Sequence, residues 1–231
     1  EVNRLQKLKH LGVLQNVFMG MRHTRWDYTV TMLYLIQLLS EAKLEGLSCE
    51  KKIGKLRLSG RDMMQLLALA NNIGHLPGTF AVEKGTMRYL IMHKAITRKL
   101  CKSVNLSEAN FKKIDYLNLN KLFLLSKLQS WLDDTEVNDQ EKEVIEAVRM
   151  LSNEIFLSKP RTQHIKRIQD YFNFIRRISY RFLDCLYVNL PIQINYREFI
   201  SQFSKFQIDK EEMQRIYKLT DHYACIVYRE I

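Results

Sequence analysis

Glycine and proline are scarce in this chain, and that scarcity limits the folds it can adopt. The 231 residues include eight Gly and three Pro, whereas sandwiches and barrels need many tight turns that use these two residue types. The hydrophobic fraction of 46% is enough to bury a sizeable core. Together these features predict a compact, all-α domain.

Hydrophobic periodicity predicts where the helices lie. Apolar residues recur at three- and four-residue spacing, which is the pattern of helices with one buried face. The predicted helices span residues 26–44, 87–101, 110–131, 138–157 and 165–190, the third with a break near Leu117. Ser59 followed by Asp62 resembles a capping box and predicts another helix start. Residues 46–58, with two glycines and several basic residues, predict a loop.

The pattern divides the chain into two parts. Residues 1–191 are expected to form a helical bundle, and residues 192–231 a C-terminal helical extension packed on it as an appendage. The extension carries aromatic residues such as Phe199, Phe203 and Phe206. These side chains either contact a partner or belong to the domain's own core.

Four ordered segments carry a resemblance to a known superfamily. Residues 71–83 contain Asn-Asn-Ile-Gly-His-Leu-Pro-Gly-Thr-Phe-Ala-Val-Glu, which resembles the motif His-Asp-Ile-Gly-His-x-Pro-Phe-x-His-x-x-Glu of the HD superfamily of phosphohydrolases. The run that begins Arg-Leu-Gln-Lys-Leu at Arg4, the His-Thr-Arg-Trp-Asp-Tyr-Thr of residues 23–29 and the Arg-Ile-Ser-Tyr-Arg-Phe-Leu-Asp of residues 177–184 are similar to segments of the dNTP triphosphohydrolases. The resemblance implies an HD-domain-like helical bundle over most of the chain.

The same resemblance implies that the metal ligands have been replaced. The family's four metal-binding positions fall on Tyr28, Asn71, Asn72 and Arg176. Working enzymes offer two imidazoles and two carboxylates there, a ligand charge of minus two, whereas this set carries plus one. At ~4 Å and an effective dielectric near 20, each unit of ligand charge is worth about 4 kcal/mol per charge on the ion. We therefore expect no metal at these positions and no cofactor.

No catalytic residue is expected either. The second His of the family motif falls on Phe80, which cannot transfer a proton to a leaving group. Without a metal or a nucleophile, the polar residues that remain do not make a hydrolase.

The remaining polar residues suggest a hypothetical nucleotide or phosphate pocket, formed by Arg25, His75, Glu83, Arg176, Tyr180 and Asp184. The resemblance implies nucleotide contact for Arg25, and the planar fork of Arg176 suits phosphate. Alternatively, Arg176 pairs with Asp27, Glu83 or Asp184 and closes the old cavity. His75 and Glu83 also fit a hydrogen-bonded framework. The sequence leaves these alternatives open.

Charge and cysteine usage limit the partners and the compartment. A net charge of +11 favours polyanions, although no recognised nucleic-acid motif is present. The four cysteines, Cys49, Cys101, Cys185 and Cys225, are scattered without a CxxC pair, which favours reduced thiols in the cytoplasm. No run of 18 apolar residues occurs, so no membrane association is expected.

Three functions remain as hypotheses. The first is a catalytically inactive HD-fold pseudoenzyme that acts as a regulatory, nucleotide-sensing or scaffolding subunit and binds a protein partner or further copies of itself. The second is a basic helical module that binds nucleic acid. The third is a residual dNTP or nucleotide phosphohydrolase activity.

Overall fold

The computed structural model describes residues 1–10, 22–39, 50–112, 114–156 and 162–187, together with the isolated residues 211 and 214. Within these ranges the chain is all-α apart from one small hairpin, as the sequence predicts. The elements are α1 (Val2–Lys7), α2 (Arg25–Leu38), β1 (Lys51–Ile53), β2 (Leu56–Leu58), α3 (Gly60–Ala70), α4 (Thr79–Met92), α5 (Lys94–Ser103), α6 (Glu108–Phe111), a 3-10 turn (Tyr116–Asn118), α7 (Leu119–Leu132), α8 (Asp139–Phe156) and α9 (Gln163–Tyr187). The predicted appendage of residues 192–231 lies outside the described ranges, apart from those two isolated residues.

Two buried clusters form the core. The first joins α2, α3, α8 and α9 through large apolar side chains, with Met32, Met64 and Phe172 fully buried. The second joins α4, α5 and α7 around Leu122 and Leu125. Helices α3 and α8 contribute to both clusters, so they connect the two halves of the core.

Side-chain caps fix the starts of α2 and α3. Thr24 accepts a hydrogen bond from the backbone of Asp27, whose carboxylate accepts one from the Thr24 backbone. Ser59 and Asp62 form the same reciprocal pair before α3. Each pair satisfies donors that a helix start would otherwise leave open, and the cap predicted at Ser59 is present.

Two local expectations differ in part from the structure, and residues 46–49 of the predicted loop lie outside the described ranges. Residues 51–58 are not an irregular loop: β1 and β2 pair antiparallel, with Lys52 opposite Arg57, and Gly54 takes the positive φ of the turn. The predicted helix over residues 87–101 begins earlier, at Thr79, and is interrupted at His93, where α4 ends and α5 begins. The predicted break near Leu117 is present as the 3-10 turn.

None of the described helices is long and apolar enough to cross a membrane.

Candidate functional site

The start of α2 brings two of the predicted site residues into the interior. A backbone bridge pairs Lys9 with Thr24, and Arg25 N donates to Leu8 O at 2.7 Å. Arg25 and Tyr28 then follow on the first turn of α2, and both are buried. Asp27, one of the acids that could have paired with Arg176, caps this helix instead.

Asn72 is held between two side chains of α2. Its Nδ2 donates to Thr29 Oγ1 at 2.9 Å, and Arg25 Nη1 donates to its Oδ1 at 3.4 Å. Burial lowers the pKa of Arg25 to about 10, an effect that the carboxylates of Glu83 and Asp184 partly oppose. The amide of Asn72 is therefore already bonded on both its donor and its acceptor side.

Asn71 binds a buried lysine that the sequence analysis did not single out. Lys121 Nζ donates to Asn71 Oδ1 at 2.6 Å and lies 4.2 Å from the centre of the Phe156 ring. Burial holds the pKa of Lys121 well below its usual range, and repulsion from Arg176 and Arg25 lowers it further. A signal existed, because Lys121 stands three and four residues before Leu124 and Leu125 on the buried side of α7.

Tyr28 and Arg176 meet through a main-chain contact. Tyr28 Oη donates to Arg176 O at 2.9 Å, and burial raises the pKa of the tyrosine well above its usual range. The Arg176 side chain is half-buried. Among the described residues it makes no ion pair with Asp27, Glu83 or Asp184.

His75 and Glu83 form a buried pair at the turn after α3. His75 Nδ1 lies 2.6 Å from Glu83 Oε1, and Asn120 Nδ2 donates to His75 Nε2 at 3.0 Å. The amide nitrogen of Asn120 can only donate, so His75 Nε2 accepts, and His75 carries its proton on Nδ1 and donates to the carboxylate. Burial lowers the pKa of His75 well below its usual range and raises that of Glu83. The pair links the turn to α4 and α7, as in the framework alternative.

Arg4 fixes the same turn from the opposite side. Its Nη1 donates to His75 O at 2.9 Å, and its Nη2 donates to Ile73 O. The turn also packs tightly against α7, because a Cβ built on Gly74 would lie 1.8 Å from Asn120 O. The Gly74 position therefore requires a residue without a side chain.

Tyr180 and Asp184 lie one turn apart on α9. Tyr180 is half-buried, with the Arg181 guanidinium 5.9 Å from its ring centre. Asp184 is buried, and its Oδ1 lies 3.1 Å from His23 Nε2. Of the six predicted pocket residues, Arg176 and Tyr180 are the two that retain partial exposure.

His10 and His23 lie beside Asp184 and were missed by the sequence analysis. The bridge before α2 places them side by side, with His10 N donating to His23 O at 3.1 Å. Their ring centres are 5.1 Å apart, and His10 also lies 4.6 Å from the ring of Tyr28. Nitrogen atoms of both rings and a carboxylate oxygen of Asp184 lie within 4.8 Å of one another.

Three of the four positions that the resemblance assigns to metal ligands are engaged in hydrogen bonds within the chain. Asn71, Asn72 and Tyr28 hold hydrogen bonds to Lys121, Arg25, Thr29 and the Arg176 backbone. The side chain of Phe80 lies outside what the structure describes.

The chain matches no protein-family model, no curated protein and no solved structure. The resemblance to the HD superfamily therefore depends on the sequence segments alone.

Proposed function

We propose that this chain is a catalytically inactive relative of the HD phosphohydrolases that acts as a regulatory or scaffolding subunit and binds a protein partner in the cytoplasm. The observation that carries the proposal is the bond between Lys121 Nζ and Asn71 Oδ1. An amine of the chain itself occupies the side-chain oxygen at a position where the family binds its metal.

Competition at Asn71 supports the loss of metal-dependent turnover. A divalent ion at this position would have to displace Lys121 Nζ from the amide oxygen, and neutral amides are weak ligands without carboxylates beside them. Arg25 and Arg176 add positive charge close enough to Lys121 to lower its pKa. The charges of Arg25 and Arg176 therefore oppose an incoming cation.

Exposed apolar side chains on α4 and α5 support partner binding. They include Ile91 at 61% and Met92 at 71%, and Val82, Tyr89 and Ile96 are also exposed. Aromatic residues and methionine are enriched at protein interfaces.

The free thiol of Cys101 fits a cytoplasmic setting, because it is buried and reduced. It is the only cysteine whose side chain lies in the described part of the chain.

Two measurements test the proposal together. Purified protein is incubated with each dNTP and Mg²⁺ or Mn²⁺, and its mass in solution is measured over a range of concentrations. We expect no turnover and a self-associating species that Met92→Glu disrupts. Val144→Glu, which places the same charge on an exposed apolar position of α8, is the matched control. Metal-dependent turnover would overturn the proposal, and a monomer at all concentrations would require a different chain as the partner.

Nucleotide sensing is the narrower form of the same proposal. It requires ligand to reach Arg25, which is 3% exposed. A thermal-shift series with dNTPs and NTPs, without metal, tests it. Stabilisation by one nucleotide that Arg176→Ala abolishes supports sensing, and no shift with any nucleotide leaves scaffolding alone.

A basic depression favours nucleic acid as the second candidate ligand. It is lined by Lys99, Lys102, Ser103, Asn105, Gln129 and Arg149, so three cations face it, although Arg149 is already bonded to Glu146. Contact with several phosphates would make affinity fall steeply as salt rises. Binding of a short oligonucleotide that is lost in Lys99→Glu and weakens with salt would support this alternative.

A further inference from the structure

We propose that His10, His23 and Asp184 form a site for a divalent transition-metal ion, best suited to Zn²⁺. The site is separate from the four replaced positions and goes beyond the proposed function. It also departs from the sequence expectation that the chain has no metal.

The three groups are of the right type and are already assembled. Two imidazoles with one carboxylate are a common donor set for Zn²⁺ and other first-row ions. All three side chains are at least nine-tenths buried, at 7% exposure for His10, 1% for His23 and 2% for Asp184. Their ligand atoms lie within 4.8 Å of one another.

The spacing needs little adjustment to accept an ion. Bonds of about 2.1 Å in a tetrahedral site hold ligand atoms about 3.4 Å apart. His23 Nε2 and Asp184 Oδ1 are already 3.1 Å apart. The other separations, none wider than 4.8 Å, must close by at most about 1.4 Å. A fourth position stays available for a water molecule.

The backbone holds the three ligand residues close together before any ion binds. The bridge between Lys9 and Thr24 fixes His10 and His23 as neighbours, and the ring of Tyr187, one turn after Asp184, stacks on His23 at 4.9 Å. Loss of side-chain freedom on binding is therefore small.

The histidines lack the hydrogen bonds that buried imidazoles normally make. Among the residues that the structure describes, Nδ1 of His23 and Nδ1 of His10 have no hydrogen-bond partner, and Nε2 of His23 lies 3.1 Å from Asp184 Oδ1 without hydrogen-bond geometry. A buried polar atom without a partner is unfavourable. A metal ion would satisfy one nitrogen of each ring.

The charge balance also differs from that of the replaced positions. Two neutral imidazoles and one carboxylate give a ligand charge of minus one, compared with plus one for the set Tyr28, Asn71, Asn72 and Arg176. The Arg25 guanidinium is the opposing charge, and it interacts with Glu83 as well as with Asp184. Because Arg25 interacts with both carboxylates, its positive charge is not directed at Asp184 alone.

The test uses untagged, EDTA-treated protein titrated with Zn²⁺ against a chromophoric chelator, and with Co²⁺ for its visible spectrum. We expect one ion per chain, a tetrahedral Co²⁺ spectrum without a thiolate charge-transfer band, and a rise in melting temperature with Zn²⁺. His23→Gln and Asp184→Asn should weaken binding by more than about 100-fold, since losing a ligand costs more than losing an outer-shell partner. His93→Gln, at an exposed histidine on α4–α5, should bind like the parent.

Far-UV circular dichroism of the metal-free variants shows whether they are folded. If Asp184→Asn does not fold, His10→Gln replaces it as the second ligand variant. Absence of Zn²⁺ binding by the parent chain would overturn the proposal, as would binding that all three ligand variants retain. A thiolate band would place the ion on cysteine and would also overturn it. None of these outcomes depends on turnover or on the oligomeric state, so the metal site and the proposed function can fail independently.

Discussion

Gly74 sits where the turn after α3 meets the main chain of α7. A Cβ at this position would lie 1.8 Å from Asn120 O and 2.6 Å from Leu124 N, and backbone atoms cannot move aside as a flexible side chain can. We expect Gly74→Ala to lower the free energy of unfolding by about 3 kcal/mol, measured by urea denaturation.

Gly85 provides the matched control for this substitution. It lies inside α4, and a Cβ there meets nothing within 4 Å. Gly85→Ala should therefore raise the free energy of unfolding by about 0.5–1 kcal/mol, because alanine favours the helix. Equal effects of the two substitutions would contradict the tight packing of the turn.

The burial of Lys121 leads to a prediction of how the free energy of unfolding depends on pH. Its pKa in the folded chain lies well below that of an unfolded lysine because of burial, with Arg176 and Arg25 opposing its charge and Glu83 favouring it. Between the two pKa values the unfolded chain binds the extra proton, so the free energy of unfolding rises with pH by about 1.4 kcal/mol per unit. Stability is correspondingly lost as pH falls from about 10.5 towards the folded pKa.

The measurement compares the parent chain with Lys121→Met. Denaturation curves collected from about pH 7 to pH 10 should show a steeper rise for the parent. Exposed lysines titrate in both proteins and cancel in the difference. Parallel dependences would mean that Lys121 remains charged in the folded chain.

At this scale the sequence identified some site residues and missed others for a physical reason. Asn71 and Asn72 stand in one contiguous segment, so its resemblance to the family motif was enough to single them out. Lys121, Asn120 and the His10–His23 pair acquire their roles from contacts between distant parts of the chain, such as the 50-residue separation between Lys121 and Asn71. No local pattern encodes such partners, although a lysine on a buried helix face was a usable sign.

The positions where helices begin are determined by residues close to one another in the sequence. The capping box of Thr24 and Asp27 supplies bonds for the open donors of α2, and α2 carries Arg25 and Tyr28 into the interior. We expect Thr24→Ala to lower the free energy of unfolding by about 1 kcal/mol. Thr31→Ala, within the same helix and bonded only to a backbone carbonyl, should change it by less than half as much. A larger loss at Thr31 would contradict the capping role.

The differences between prediction and structure at the β1–β2 hairpin and at the break between α4 and α5 also have local causes. The hairpin of β1 and β2 is only three residues per strand, too short for alternation to distinguish it from a loop. The apolar pattern continues across His93, so periodicity could not reveal the break between α4 and α5. There the Tyr89 and His93 rings lie 4.0 Å apart.

At the scale of the molecule, α3 and α8 belong to both buried clusters, so the two halves should unfold together. Phe172→Ala in the first cluster and Leu122→Ala in the second should each lower the free energy of unfolding by about 2–5 kcal/mol. Each variant should still show one transition, with fluorescence and circular dichroism coinciding. Separate transitions in either variant would show that the clusters are independent. The all-α class followed from composition and periodicity, whereas this shared core required the three-dimensional arrangement.

The hydrogen bond from Lys121 to Asn71 also determines whether a substitution at Asn71 could create a metal site. A change of Asn71 to aspartate would give Lys121 Nζ, now 2.6 Å from the amide oxygen, a carboxylate to pair with, and the new charge would be neutralised before any ion arrived. A metal site built at Asn71 would therefore require Lys121 to be replaced as well as carboxylate ligands to be added. Either substitution alone fails: Asn71→Asp strengthens the internal pair with Lys121, and replacement of Lys121 leaves the buried Asn71 amide oxygen without its donor.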